Sequence, residues 1–88
     1  IMIIKFRCPL PQGLHFRPCG LLARALQSKQ VEVTVKCRGR NANGKSVIGL
    51  FLLGVRFGDE VAVILCGADS LLAAEAINKL VSQKFFES

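Results

Sequence analysis

One histidine occurs among the 88 residues, and it lies in Gly13-Leu14-His15-Phe16-Arg17-Pro18. An imidazole followed two positions later by a guanidinium suits phosphoryl chemistry. Directly after the motif, Cys19, Leu22, Ala23 and Leu26 recur at i, i+3, i+4 and i+7, which predicts a helix with one apolar face. Proline is tolerated in the first turn of a helix, where the amides lack intrahelical acceptors in any case. The helix is therefore expected to start near Phe16 and run to about Ser28, with His15 at or beside its N-cap. There the amides of Phe16 and Arg17 are expected to point toward the imidazole, and the positive end of the helix dipole favours an anion. A phosphoryl group on a ring nitrogen of His15 would be held by those amides and paired with Arg17. The plainer alternative is a histidine that only caps the helix or packs beside it.

A second candidate is Ser46. It stands before Val47-Ile48-Gly49-Leu50-Phe51-Leu52-Leu53, and Gly54 follows. Serine before and glycine after are start and stop signals for a short helix. That helix is apolar almost all round. If Val47, Leu50 and Leu53 face the core, Ile48, Phe51 and Leu52 are left exposed, and an exposed apolar patch usually marks a partner surface. The alternative is a helix covered on every side.

Cys8, Cys19, Cys37 and Cys66 form no C-x-x-C pair, and three of them fall inside expected strands. They read as small hydrophobes of a reduced protein rather than as a disulfide framework. Cys8, His15 and Cys19 have no recognised metal-ligand spacing, so no metal is expected.

The length sets one domain over residues 1–88 with a thin core. With 51% hydrophobic and 20% charged residues the chain is globular rather than disordered. Ile1 ahead of Met2 fits an added residue or a domain cut from a longer chain. The first residues lack the charged stretch and cleavage site of a signal peptide. No run approaches the ~18 apolar residues of a membrane span. A cytoplasmic protein is expected. The net charge of +6 draws attention to Lys36, Arg38, Arg40 and Lys45. These cations could meet nucleic-acid phosphates, form a solvated hairpin tip, or steer an acidic partner. The segment holds no aromatic residue to stack on a base, which argues against nucleic acid.

The elements that must position His15 follow from periodicity. Ile4, Phe6 and Cys8 alternate with Ile3, Lys5 and Arg7, which predicts a strand over Ile3 to Cys8. Val31, Val33 and Val35 alternate with Glu32, Thr34 and Lys36 in a second strand. Arg38-Gly39 is a plausible tight turn into a short strand from Arg40 to Asn43. Val61 to Cys66 is a β-branched strand. Asp69 is expected to cap a last helix from Ser70 to about Phe85, with Ala73, Ala76, Ile77, Leu80 and Val81 as its apolar stripe. The expected class is α+β: an open-faced β-sandwich in the order βαββαβα. Three helices cover one face of a four-stranded, mainly antiparallel sheet.

The whole chain resembles HPr, the histidine-containing phosphocarrier family of the bacterial sugar phosphotransferase system. The resemblance rests on Gly13-Leu14-His15-Phe16-Arg17-Pro18, which matches the family's Gly-Leu-His-x-Arg-Pro. It rests further on Lys45-Ser46, on Leu53-Gly54 and on the element order. It implies that His15 accepts a phosphoryl group on Nδ1 from enzyme I and passes it to an enzyme II A component. Arg17 and the backbone amides of Phe16 and Arg17 would stabilise the group. It implies no cofactor and no turnover of its own, and a monomer is the default for such a carrier. It implies regulation at Ser46 by an HPr kinase, and a docking surface built from Phe16, Gly20, Leu21, Arg24, Ile48, Phe51 and Leu52, rimmed by Arg17 and Arg56. The chain departs from the family where Phe16 replaces a usually small residue and Cys19-Gly20 replaces two alanines. The alternative function is a regulatory binding protein of the same fold, acting on a transcription factor or an enzyme through the state of Ser46.

Overall fold

Four strands form in the structure, a computed structural model that describes residues 1–86. They are β1 (Met2–Arg7), β2 (Glu32–Cys37), β3 (Arg40–Asn43) and β4 (Glu60–Cys66). The helices are α1 (Phe16–Gln27), α2 (Val47–Leu53) and α3 (Ser70–Ser82). The strands lie in the order β1-β4-β2-β3, and all three pairings are antiparallel. The expected open-faced sandwich is therefore present, and its sheet is wholly rather than mainly antiparallel. The last two residues of the expected 1–88 span lie outside the described residues.

One face of the sheet carries the core. Val33 and Val35 of β2 and Val61, Val63 and Leu65 of β4 are buried. Met2, Ile4 and Phe6 of the edge strand β1 pack against them while half-exposed. Against this face α1 buries Pro18, Cys19, Leu22, Ala23 and Leu26. Each fully buried leucine is worth roughly 1.5–3 kcal/mol relative to exposure. The tight turn forms at Arg38-Gly39, with both residues at positive φ (50° and 76°). That is the primed geometry that matches strand twist in a two-residue hairpin.

Several boundaries and faces differ from expectation. β1 ends before Cys8, although the Cys8 amide still donates to the Asp59 carbonyl at 2.9 Å. Only Cys37 and Cys66 therefore belong to strands, each as a last residue. In α3 the buried residues are Ala73, Ala74, Ile77 and Leu80; Ala74 joins the stripe in place of the half-exposed Ala76, and Val81 packs against the core while half-exposed. This helix stops at Ser82, short of Phe85. A tight turn over Lys84–Phe86 follows, with three successive left-handed residues at φ 49°, 53° and 62°. That turn delivers the Phe85 ring into the core, where it is completely buried. Asp69 does not cap α3 with its side chain; Oδ2 instead accepts from the Gln30 amide at 2.7 Å and ties the start of α3 to the approach to β2.

Candidate functional site

His15 sits where the sequence places it, as the N-cap of α1 with extended backbone (φ −79°, ψ −172°). Its carbonyl accepts the first helical bond from the Cys19 amide at 3.1 Å, while its side chain makes no capping hydrogen bond. The loop that presents it is held from three directions. The Gly13 amide donates to Leu10, the Leu14 amide donates to Val55 at 3.0 Å, and the Cys19 thiol donates to the Leu14 carbonyl at 3.3 Å. Gly13 is required here. Its φ is +74°, and a Cβ on it would stand 2.3 Å from the Val55 carbonyl oxygen. Burial pushes the Cys19 thiol up to about 11, so this cysteine is a protonated brace under the loop and not a nucleophile.

Arg17 follows in the first turn. Its Nη1 donates to the Phe85 carbonyl at 3.1 Å, so the start of α1 is tied to the left-handed turn near the other end of the chain. Phe16 opens α1 with 57% of its surface exposed. Its ring meets Phe51 of α2 edge-on, with centroids 5.8 Å apart and planes at 75°. Phe16, Arg17, Gly20, Leu21 and Arg24 line one wall of a groove of about 550 Å³, and Val47 and Ile48 form the other. The structure thus brings together most of the expected docking set. Phe51 braces the groove through Phe16, whereas Leu52, 62% exposed, is not among the residues that line it. Val47 packs against the core as expected while half-exposed, and it also lines the groove. α1 contains no acidic residue, so nothing on it repels a phosphate or activates a water to hydrolyse one.

Ser46 is the N-cap of α2, and its Oγ accepts from the Gly49 amide at 3.0 Å. Gly54 closes the helix in left-handed conformation. Leu50 and Leu53 are buried, whereas Ile48, Phe51 and Leu52 are exposed, as their spacing predicts.

The basic segment does not form one patch. Arg38 pairs with Asp59 and donates from Nη2 to the Gly54 carbonyl at 2.8 Å, and Arg40 donates to Leu52 at 3.1 Å. Both clamp the C-terminal end of α2, where the helix dipole favours cations. Asp59 also accepts from the Arg56 amide at 2.8 Å, and this bond, with Arg38 beside it, holds its carboxyl below the ordinary value. Lys45 lies at the other end of α2 and donates from Nζ to the Lys29 carbonyl at 2.7 Å. Lys36 projects from the opposite, open face of the sheet. The hairpin tip is therefore structural rather than merely solvated, and its arginines are committed to helix and carboxylate. Arg56 borders the His15 loop through its backbone, since its Cα would lie 3.2 Å from a Cβ on Gly13.

All four cysteines are free; Cys66 is exposed, and burial raises the thiols of Cys8 and Cys37 as it does that of Cys19. Among the described residues, no cluster of His, Cys, Asp and Glu is arranged to hold a metal ion. No helix among them is long and apolar enough to cross a membrane.

An open-faced sandwich with its lone histidine at a helix N-terminus is the frame of a phosphoryl-carrying protein, and comparison with known proteins gives the same class. The profile described as "PTS HPr component phosphorylation site" matches residues 4–83. A phosphocarrier protein HPr of Xylella fastidiosa is 32% identical over 75 residues, which cover 85% of this chain and 84% of that protein. Multiphosphoryl transfer protein 1 of Escherichia coli is 31% identical over 90 residues; the match takes in all of this chain but only 11% of that protein's length. Among solved structures, HPr-C-His from Thermoanaerobacter tengcongensis superposes with a TM-score of 0.93 at 27% identity, covering 100% of this chain and 99% of that one. The chain belongs to the HPr family of phosphocarrier proteins of the phosphotransferase system.

Proposed function

We propose that this chain accepts a phosphoryl group from enzyme I on His15 and passes it to an enzyme II A component of the phosphoenolpyruvate-dependent sugar phosphotransferase system. The observation that carries this reading is His15 at the N-cap of α1 with its side chain not used as a cap, next to Arg17. On loading, the N–P bond of the donor breaks and one forms at Nδ1 of His15; on unloading, that bond breaks and a new bond forms on the acceptor residue of the enzyme II A component. First-turn amides, Phe16 among them, and the Arg17 guanidinium take the charge of the phosphate oxygens. His15 is half-buried beside an open groove, which leaves the incoming partner to supply the remaining catalytic groups.

Phe16, Gly20, Leu21, Arg24, Ile48, Phe51 and Leu52 form the surface that meets enzyme I and the enzyme II A component, with acidic groups on the partner facing Arg17 and Arg24. The protein acts in the cytoplasm as a monomer, over the domain 1–88, without cofactor, nucleic acid or membrane. It performs no turnover of its own. Ser46, at the edge of the same surface, is the site for an HPr kinase. A phosphate there adds about −2 charge beside the apolar groove and weakens docking of acidic partners.

Incubation with phosphoenolpyruvate and enzyme I, read by intact mass, tests the proposal. The expected result is one phosphoryl group, lost in mild acid and absent from His15→Ala. A His15→Ala protein that still acquired and passed on acid-labile phosphate would sink it. The regulatory alternative draws on the Ser46 hydroxyl lying at the edge of the groove in helix α2. It requires a complex that depends on the Ser46 state and survives His15→Ala.

A further inference from the structure

Resting on the reading of His15 as the phosphoryl acceptor, we propose that Phe16 is the specificity-determining residue of this carrier. Its ring selects partners whose contact face presents a hollow, then an apolar projection, then an acidic group, in line along α1.

The relief of α1 carries the proposal. Phe16, Gly20 and Arg24 recur at i, i+4 and i+8 and therefore lie along one face of the helix. The first is a large ring, more than half exposed. The second has no side chain, and nothing lies within 4 Å of the place where a Cβ would stand. The third is a cation on the groove wall. Ridge, gap and positive charge thus follow one another over about 12 Å of helix. The ridge is not a loose side chain, because it has a ring partner on α2. The edge-on contact with Phe51 fixes the ring between α1 and α2, an arrangement aromatic pairs favour beyond the area they bury.

Phosphoryl transfer between two proteins brings the reacting atoms to about 3–3.5 Å. Phe16 adjoins His15, with Cα atoms about 3.8 Å apart. A protein that delivers its own reacting group to the imidazole must therefore accommodate the Phe16 ring at the same moment. A flat or convex face meets the ring before its phosphoryl group reaches His15. A face with a hollow at that point closes over the ring, sets an apolar group into the gap above Gly20 and pairs an acid with Arg24.

The test compares two phosphoryl donors on the same protein. Phosphoramidate is a small molecule without a docking face, and enzyme I of Escherichia coli with phosphoenolpyruvate is a protein donor that must dock to reach His15. The quantity measured is the ratio of the enzyme I rate to the phosphoramidate rate at His15, which cancels any change in the histidine itself. Phe16→Ala is expected to raise that ratio at least tenfold. Phe51→Leu, which unties the ring without removing it, is expected to raise it by a smaller factor. An unchanged ratio overturns the proposal, as does enzyme I failing with both the native chain and Phe16→Ala while phosphoramidate labels both. Failure of phosphoramidate to label His15 at all removes the acceptor reading, and is distinguishable from those outcomes.

Discussion

The N-termini of α1 and α2 lie at opposite ends of the contact between the two helices, one beside Phe51 and the other beside Gln27, and they are finished in different ways. At α2 the Ser46 hydroxyl accepts from the Gly49 amide at 3.0 Å, so the helix is capped by its own chain. At α1 the capping position is held by His15, whose side chain does not perform that service. Neither helix has an acid in its first turn to compensate. An unmade cap costs about 1 kcal/mol. Under the proposed function, a phosphoryl group on His15 supplies the interaction that α1 forgoes, whereas a phosphate on Ser46 must rearrange a bond that already exists.

Exchanging the two solutions gives the sharpest test. His15→Ser is expected to abolish phosphoryl transfer completely, as measured by intact mass after incubation with enzyme I, and at the same time to raise stability by about 0.5–1 kcal/mol in urea denaturation, because serine is a competent cap. Loss of transfer accompanied by loss of stability would mean that the histidine side chain supports the helix after all. Arg17→Ala comes next. Removing one donor from a developing charge commonly costs about 10²–10³ in rate, and that loss is expected for transfer through His15. A drop that tracked only a fall in thermal stability would assign Arg17 to its bond with Phe85 instead. Ser46→Ala is expected to lower stability by about 1 kcal/mol in the same urea titration. No change would show that the capping bond is not worth making.

The smallest effect concerns the far end of α2. The Asp59 carboxyl is held below its ordinary value of 3.8 by the Arg56 amide and by Arg38. A depressed carboxylate contributes stability above its unfolded value, and the contribution is lost as pH falls through the folded one. Denaturation midpoints of the native chain are therefore expected to fall as pH drops below 3.8, and those of Asp59→Asn to fall less over that interval. Equal slopes would show that the clamp on α2 does not depend on this charge.

The difference between the helix ends also explains what the sequence made readable. The site motif is six consecutive residues, and the signals around it are local: proline in a first turn, serine before α2, a left-handed glycine after it, valines alternating along β2 and β4. The features that escaped depend on distant partners. Arg17 and Phe85 are 68 positions apart, and no residue near Phe85 announces three left-handed residues without a glycine. Lys36, Arg38, Arg40 and Lys45 form a cluster on paper, but the pleat and the turn send them to three different places. Helical spacing turns Val47 toward the core, where it packs, but that it also lines the gap between α1 and α2 is not a local property.

The strand order has a consequence for how the molecule comes into being. β4 lies between β1 and β2, so Met2 waits for Leu65 before it has a neighbour across the ladder. During synthesis β2 and β3 can pair as soon as both have emerged, but β1 is a strand without a partner until residues 60–66 leave the ribosome. The histidine loop needs the Val55 carbonyl as well, and the bond from Arg17 to the Phe85 carbonyl forms only when Phe85 arrives. A chain interrupted before that point contains every residue of the motif near its beginning, yet lacks the Phe85 carbonyl that holds Arg17 in place.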